Sequence, residues 1–352
     1  MKLYFAPLDV VRFFAAFFVM SFHYFYQNEV EIHWYRYGTL GVQVFFIISG
    51  FVIVQSLKGK SLKEFAINRF IRLYPLFWIL CTVTFVITFL IPNSNPVRFT
   101  EYLLSMTMLG DQFEHFIGYT RLVDGSYWTL AVELIFYVVI ALFVRLFSYR
   151  HLRYFFLVWF LISVVAFLTH HDTNMFFKYL LVRHASYFIF GGALALIIMK
   201  EAKNLYEKYC DYALLCISAC YATYIHPLSI PSTVAYNPND QGIITMLHIA
   251  FFVGIVLLVY TSRYITNKKI LSMFMVLGGL TYPLYLLHET IGYAVIKYVT
   301  NTYQLPGTAV AFILEILIII ISYMIYLQDK KMRSWLHGKL IIKDLRSKLT
   351  RY

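Results

Sequence analysis

Residues 7–26 read PLDVVRFFAAFFVMSFHYFY. As a helix, twenty residues span about 30 Å, the thickness of a bilayer's hydrocarbon core. Asp9, Arg12 and His23 interrupt the apolar run. Ionisable side chains are costly at that depth, so each is a candidate for function. Similar apolar runs recur along all 352 residues, and the chain is 60% hydrophobic but only 14% charged. A soluble domain carries about 25% charged residues, so a single large soluble core is excluded.

Ten spans are expected, over 6–26, 37–57, 72–91, 126–147, 153–170, 179–199, 209–225, 242–261, 273–299 and 308–327. The alternation of a membrane barrel is absent, which leaves helices. The fold class is therefore all-α, a polytopic membrane helix bundle of about ten transmembrane helices. Of the 30 lysines and arginines, only Arg36, Arg98, Arg121 and Lys178 fall on outside segments if the N-terminus is cytoplasmic. Arg12, Arg183 and Lys297 lie within spans, and all the others fall inside. That asymmetry places both termini in the cytoplasm. It also accounts for the net charge of +12 without nucleic acid, and no nucleic-acid partner is expected. Lys2 and the first run, with no small-residue cleavage site, read as a retained span.

The membrane domain is expected over 1–328, followed by a basic cytoplasmic tail over 329–352. The tail, DKKMRSWLHGKLIIKDLRSKLTRY, has the composition of a segment lying on an anionic inner leaflet. The outside loop 92–125 is too short for a separate domain. Cys81, Cys210, Cys216 and Cys220 form no disulfide framework, and no metal is expected, since His170 and His171 lack further ligands at a useful spacing.

Within the first span, Asp9 and Arg12 are three apart and share a face. Arg12 and His23 are eleven apart, about 20° off one line in a regular helix. Asp9 and Arg12 then sit near the inner surface as an ion pair, and His23 about 24 Å above Pro7. GSYWTLAVELIFY (125–137) opens the fourth span with Ser126 as a candidate N-cap. It places Glu133 about 10 Å below the outer end, where a carboxylate needs a partner or a proton. GGLTYPLYLLHET (278–290) places His288 at a comparable level, with Glu289 on a different face. Arg183, His184, His248 and Glu315 fall near the same layer. So many titratable groups at one depth point to a polar chamber open to the outside, with His23 available as a general base.

The inner side carries INRFIRLYPLFW (67–78). Tyr74 precedes Pro75, which disfavours the α conformation at Tyr74 and predicts a break there. Pro75 would then open the third span, with Arg69 and Arg72 beside a fresh helix N-terminus suited to phosphate. Anchoring by positive charge is the competing reading, and it explains Lys58, Lys60 and Lys63 better than it explains these arginines.

Five stretches, LDVVRFFAAFFVMSFHY, GVQVFFIISGFVI, NRFIRLYPLFW, SYWTLAVELIFY and LTYPLYLLH, run in this order from residue 8 to 288. Together they resemble the integral-membrane acyltransferases called acyltransferase family 3, which include bacterial sugar O-acetyltransferases. LDVVRFF departs from that pattern, which usually has glycines around the Asp and Arg. The resemblance implies that His23 is the first-span histidine, Arg69 and Arg72 the arginine pair, Trp128 and Glu133 the Trp-x-x-x-x-Glu element, and Tyr282, Tyr285 and His288 the late Tyr and His.

Two function classes follow. The first is an enzyme of the bacterial cytoplasmic membrane that moves an acyl group, acetyl in the simplest case, from acetyl-CoA to a hydroxyl of a surface or lipid-linked carbohydrate. His23 and Glu133 would be catalytic, and Arg69, Arg72 and Arg12 would hold CoA phosphates. Trp128, Tyr282, Tyr285 and His288 would position substrate, with Asp9, Tyr74 and Ser126 in support. The second class is a transporter or flippase of lipid-linked sugar without acyl chemistry, since polar groups in both halves of the bilayer suit either.

Overall fold

The computed structural model describes residues 4–26, 33–92, 94–112, 121–172, 174–229 and 240–349. Among these residues there are helices and no strands. In chain order the α-helices are α1 Pro7–Ser21, α2 Gly41–Leu57, α3 Leu62–Leu90, α4 Phe99–Ser105, α5 Trp128–Phe147, α6 Leu152–Leu168, α7 Met175–Tyr179, α8 Ala185–Ile198, α9 Leu205–Ser229, α10 Gln241–Thr261, α11 Lys268–Leu287, α12 Glu289–Tyr303 and α13 Gly307–Leu349. Among the described residues, eight helical stretches are long and apolar enough to cross a membrane. The expected span at 179–199 appears as the 14-residue α8, and that at 209–225 as the longer, more polar α9.

The chain divides into two compact units. One comprises Met1–Val19, Arg36–Lys60 and Val132–Gly278; the other comprises Met20–Tyr35, Ser61–Ala131 and Gly279–Tyr352.

In the first unit, α8 is buried from Ala185 to Leu196 and packs along α2. Apolar attraction between helices is weak in lipid, so close backbone approach has to supply the contact, and small residues permit it. A methyl group at Gly191 would collide with the Ile47 carbonyl oxygen, and one at Gly50 with the Phe188 carbonyl oxygen. Phe136, Trp159 and Phe188 stack around this pair. Arg153, 2% exposed, links α6 to α9 by donating to Asp211 at 3.0 and 3.3 Å and pairing with Glu207 at 2.5 Å. A buried charge is tolerated when its partners are supplied in this way.

In the second unit, α3 differs from expectation. It runs unbroken from Leu62 to Leu90 with Pro75 inside. Proline removes one backbone hydrogen bond, but helices in apolar surroundings tolerate it when neighbouring groups take up the freed carbonyl. The start lies instead at Ser61, whose side chain accepts from the Glu64 amide at 3.1 Å. Arg69 and Arg72 therefore lie within a helix, not at its N-terminus. Tyr74 stays helical; its ring stacks on Phe70 and its hydroxyl donates to the Thr107 carbonyl at 3.2 Å.

The outer loop is organised around Glu101, which is 3% exposed. Burial alone would raise its carboxyl, but donors from Arg98 and the Arg121 amide hold it below the usual carboxylate range. The tail continues α13 as one helix through Leu349. Its 43 residues reach about 64 Å, far beyond a hydrocarbon core.

Replacing Gly191 by Ala is expected to destabilise the first unit by about 1–3 kcal/mol, the usual cost of overpacking. A lowered thermal midpoint of the detergent-purified protein checks this; an unchanged midpoint would remove the close-approach argument.

Candidate active site

Within the second unit, three short segments converge. The first is the turn that ends α1. Residues Phe22–Tyr26 form a π-helix, with His23 in it. A π turn holds an extra residue, so the regular 100° advance from Arg12 does not persist through His23. Such turns often occur at functional sites. Next to it, Tyr24 is fully buried and packs against Gly292 of α12, where a methyl group would collide with the phenol ring. Ser21 donates to buried Glu315 at 2.5 Å.

The second segment precedes α5. Asp124, not Ser126, caps this helix start. The Ser126 amide donates to Asp124 Oδ1 at 3.0 Å, and the Ser126 hydroxyl donates to the same oxygen. The other carboxylate oxygen accepts from the Thr290 amide at 2.9 Å, in the first turn of α12. One buried carboxylate thus serves the unpaired amides of two helix starts.

The third segment is the junction of α11 and α12. The sequence reads as one span over 273–299, but the helix stops at Leu287 and restarts at Glu289, with His288 as N-cap. The break has a cause: Asp124 satisfies an amide that would otherwise need the preceding turn. His288 keeps helical φ and ψ of −73° and −45°, so residues 288 and 289 still point about 100° apart. Both nonetheless reach His23. Glu289 Oε2 is 3.8 Å from His23 Nε2, and the His23 and His288 ring centroids are 5.1 Å apart.

His288 has no solvent exposure. Its Nδ1 lies 2.8 Å from the Tyr285 carbonyl oxygen. A carbonyl only accepts, so Nδ1 carries the proton and Nε2 presents a lone pair. Among the described residues that buried Nε2 has no hydrogen-bond partner. His23, His288 and Glu289 place one ligand atom each within 4.8 Å of one another. They are the described residues that could hold a cation, a grouping absent from the sequence reading.

Of the remaining expected residues, Tyr285 is buried beside this cluster. Its hydroxyl meets Thr129 Oγ1 at 2.7 Å, and its ring centroid lies 5.3 Å from that of His288. Trp128, half-buried, is the first α-helical residue of α5. Tyr282 points elsewhere, donating to the Leu73 carbonyl of α3 at 3.0 Å. Arg69 lies over the Phe65 ring, and Arg72 is close enough to Asp329 to act on its charge, with Arg333 paired to the same aspartate. Glu133 belongs to the first unit, where it accepts from Ser49 and, at 2.8 Å, from Tyr137. In that unit Arg12 and Asp9 form their expected pair at 3.8 Å, and His248 binds the Tyr187 hydroxyl at 3.0 Å.

Sequence reasoning passed over Asp124. Its signal was present, since an Asp two residues before Ser126 and an apolar run is itself a capping pattern. Glu289, read from sequence as lying on a different face from His288, still comes within 3.8 Å of His23.

A buried carboxyl, a half-buried one, two imidazoles and hydroxyl groups in an apolar bundle suit proton transfer to and from an acceptor oxygen. The family model described as "Acyltransferase domain" matches residues 5–327, so the chain belongs to this acyltransferase family. Two curated proteins that carry the name "Putative O-acetyltransferase", from Staphylococcus aureus strains COL and MSSA476, are 27% identical to it over 149 residues. The alignment covers 38% of this chain and 24% of each relative. No solved structure matches the chain.

Asp124 lies just ahead of its span, and burial raises its carboxyl from 3.8 to about 6 against the pull of its donors. A raised carboxyl favours the folded state while protonated, so this share of stability is present below pH about 4 and lost as pH rises through about 6. Asp124→Asn is expected to flatten the fall of the thermal midpoint across that window; equal slopes in both proteins would refute it. Gly125 abuts Glu289 so closely that a methyl group there would displace the carboxylate. Gly125→Ala is expected to express and fold yet lose about 10²-fold in turnover, the scale of an ångström's misplacement.

Proposed function

We propose that this protein transfers an acyl group, acetyl in the simplest case, from cytoplasmic acyl-CoA to a hydroxyl of a surface or lipid-linked carbohydrate. The observation that carries the reading is the meeting of His23 with Glu289 and the His288 lone pair inside a chain of the acyltransferase family. The acceptor O–H gives its proton to His23 as its oxygen attacks the thioester carbonyl. The C–O bond forms, the C–S bond breaks, and the CoA sulfur takes that proton from the His23 imidazolium, so CoA leaves as the thiol and His23 is neutral again. Glu289 faces the imidazolium that forms, and His288 Nε2 accepts a hydrogen bond from a neighbouring hydroxyl of the acceptor sugar. Glu133 remains a second carboxylate to be tested. The reading calls for no metal.

Arg69 and Arg72 hold donor phosphates in this reading; Arg12, the third arginine expected to do so, belongs to the first unit. Their support is not a helix N-terminus but a charge surplus. On α3 and α13, Arg69, Arg72 and Arg333 outnumber Asp329, leaving positive potential on the side that charge asymmetry assigns to the cytoplasm. Trp128 and Tyr285 would line the acceptor's place, and Tyr282 would brace α3. The bacterial cytoplasmic membrane is the setting that fits a cytoplasmic donor and a surface acceptor.

Purified protein given radiolabelled acetyl-CoA and a glycan acceptor should release CoA in an acceptor-dependent way. His23→Ala is expected to lower this at least 10³-fold while CoA binding persists, in keeping with loss of a general base. Arg69→Ala and Arg72→Ala are expected to weaken CoA binding. Wild-type turnover in His23→Ala would overturn the assignment, and sugar movement across liposomes without CoA would favour a transporter.

A further inference from the structure

The first unit holds a cavity of about 560 Å³ unrelated to the His23 cluster. It lies among the residues before α1, the end of α8, the start of α9 and the end of α10. All four belong to segments that the charge asymmetry assigns to the cytoplasmic side. Lys200, Lys208 and Arg263 line it together with Tyr4, Tyr212 and Tyr260.

The balance of charge there is one-sided. Asp211 is the single acid in the lining, and Arg153 engages it through two hydrogen bonds. The other acids at this end are also taken: Glu207 by Arg153, and Glu201 by Lys58. Among the described residues none of the three lining cations makes an ion pair. The Arg263 guanidinium is held over the Tyr264 ring at 4.9 Å, without neutralisation.

Apart from Ser262 the rest of the lining is apolar and includes Leu196, Ile197 and Val259. A cationic part joined to an apolar wall fits an amphiphile. A free nucleotide would satisfy the cations and leave that wall wet, which disfavours it. Large exposed side chains flank the cations along the sequence: Leu205, Tyr206, Tyr209 and Tyr264 are each 67–70% exposed. Tyrosine at such positions is suited to the headgroup level of a bilayer.

We propose that this cavity binds the phosphate headgroup of an anionic phospholipid of the inner leaflet. Lys200, Lys208 and Arg263 meet the phosphate beside the Tyr212 and Tyr260 rings, and the acyl chains lie along Leu196, Ile197 and Val259. Basic recesses between helices on the cytoplasmic side are a recurring form of lipid recognition.

The test uses the full chain in detergent, with phosphatidylglycerol and phosphatidylcholine as probes. Lipid retention is read by native mass spectrometry and stabilisation by thermal midpoint. Phosphatidylglycerol should be retained and should raise the midpoint, while phosphatidylcholine should do neither. A Lys200→Gln, Lys208→Gln, Arg263→Gln variant changes only exposed side chains, so it should fold. Its retention should fall about 10²-fold, at roughly fivefold per charge. A Lys330→Gln, Lys331→Gln, Lys339→Gln variant loses the same charge on α13 and should retain the lipid. Equal retention of both lipids, or equal loss in both variants, would overturn the proposal. So would displacement of phosphatidylglycerol by coenzyme A or adenosine 3′,5′-bisphosphate that the first variant abolishes, since the cavity would then be a nucleotide site.

Discussion

The Asp124 carboxylate, shared between the Ser126 and Thr290 amides, is the contact on which the site depends. An apolar bundle offers little water to the amides at helix starts, so each start must find an acceptor within the protein. One aspartate serves two. This ties the start of α5 to the start of α12 and ends α11 at Leu287. The junction sets His288 and Glu289 beside the end of the first helix. The π turn at Phe22–Tyr26 brings His23 to meet them, and the two glycines, Gly125 and Gly292, leave room for Glu289 and Tyr24.

What could be read from sequence followed from this physics. Apolar runs announce spanning helices because lipid excludes polar backbone, and lysine and arginine counts assign sides. Those signals are additive along the chain and survive small errors in helix ends. His23 and His288 stand out in the sequence as ionisable residues in apolar runs, while Tyr285 enters only through the family resemblance. The importance of Glu289 and Asp124 was not legible, because it depends on a helix break that no local residue demands. At Pro75 the sequence argues for a break that does not occur, and at His288 one occurs with no proline or glycine next to it; Pro283, five residues earlier, stays inside α11. Local preference is a weak term, of a few kcal/mol at most, and a neighbouring segment that supplies or withholds a hydrogen-bond partner decides the outcome.

The two units meet the same constraint by different means. In the first, α2 and α8 approach through glycines, so backbone contact replaces polar contact over most of the pair. Its charges are concentrated at the basic end, where Arg153, Asp211 and Glu207 satisfy each other and leave three cations facing a cavity. The second unit retains buried polar groups along its helix junctions instead. Packing of the first kind gives rigidity but no chemistry, and the hydrogen-bonded junctions of the second give directional groups that a reaction can use.

The arrangement of the two histidines limits which one can act as base. His288 Nδ1 is committed to the Tyr285 carbonyl, and its ring is enclosed. Taking up a second proton would put an imidazolium where burial disfavours charge, so this ring is suited to accepting a hydrogen bond and not to carrying a proton away. His23 retains slight exposure and has a carboxylate at 3.8 Å, and that carboxylate can balance the positive charge as a proton arrives. Under the proposed reaction, the division of labour follows from these surroundings: His288 orients the acceptor through a neighbouring hydroxyl, and His23 accepts the proton of the attacking one. A carboxylate supports a base only where it can reach the developing charge, and Glu289, 3.8 Å from His23, meets that condition.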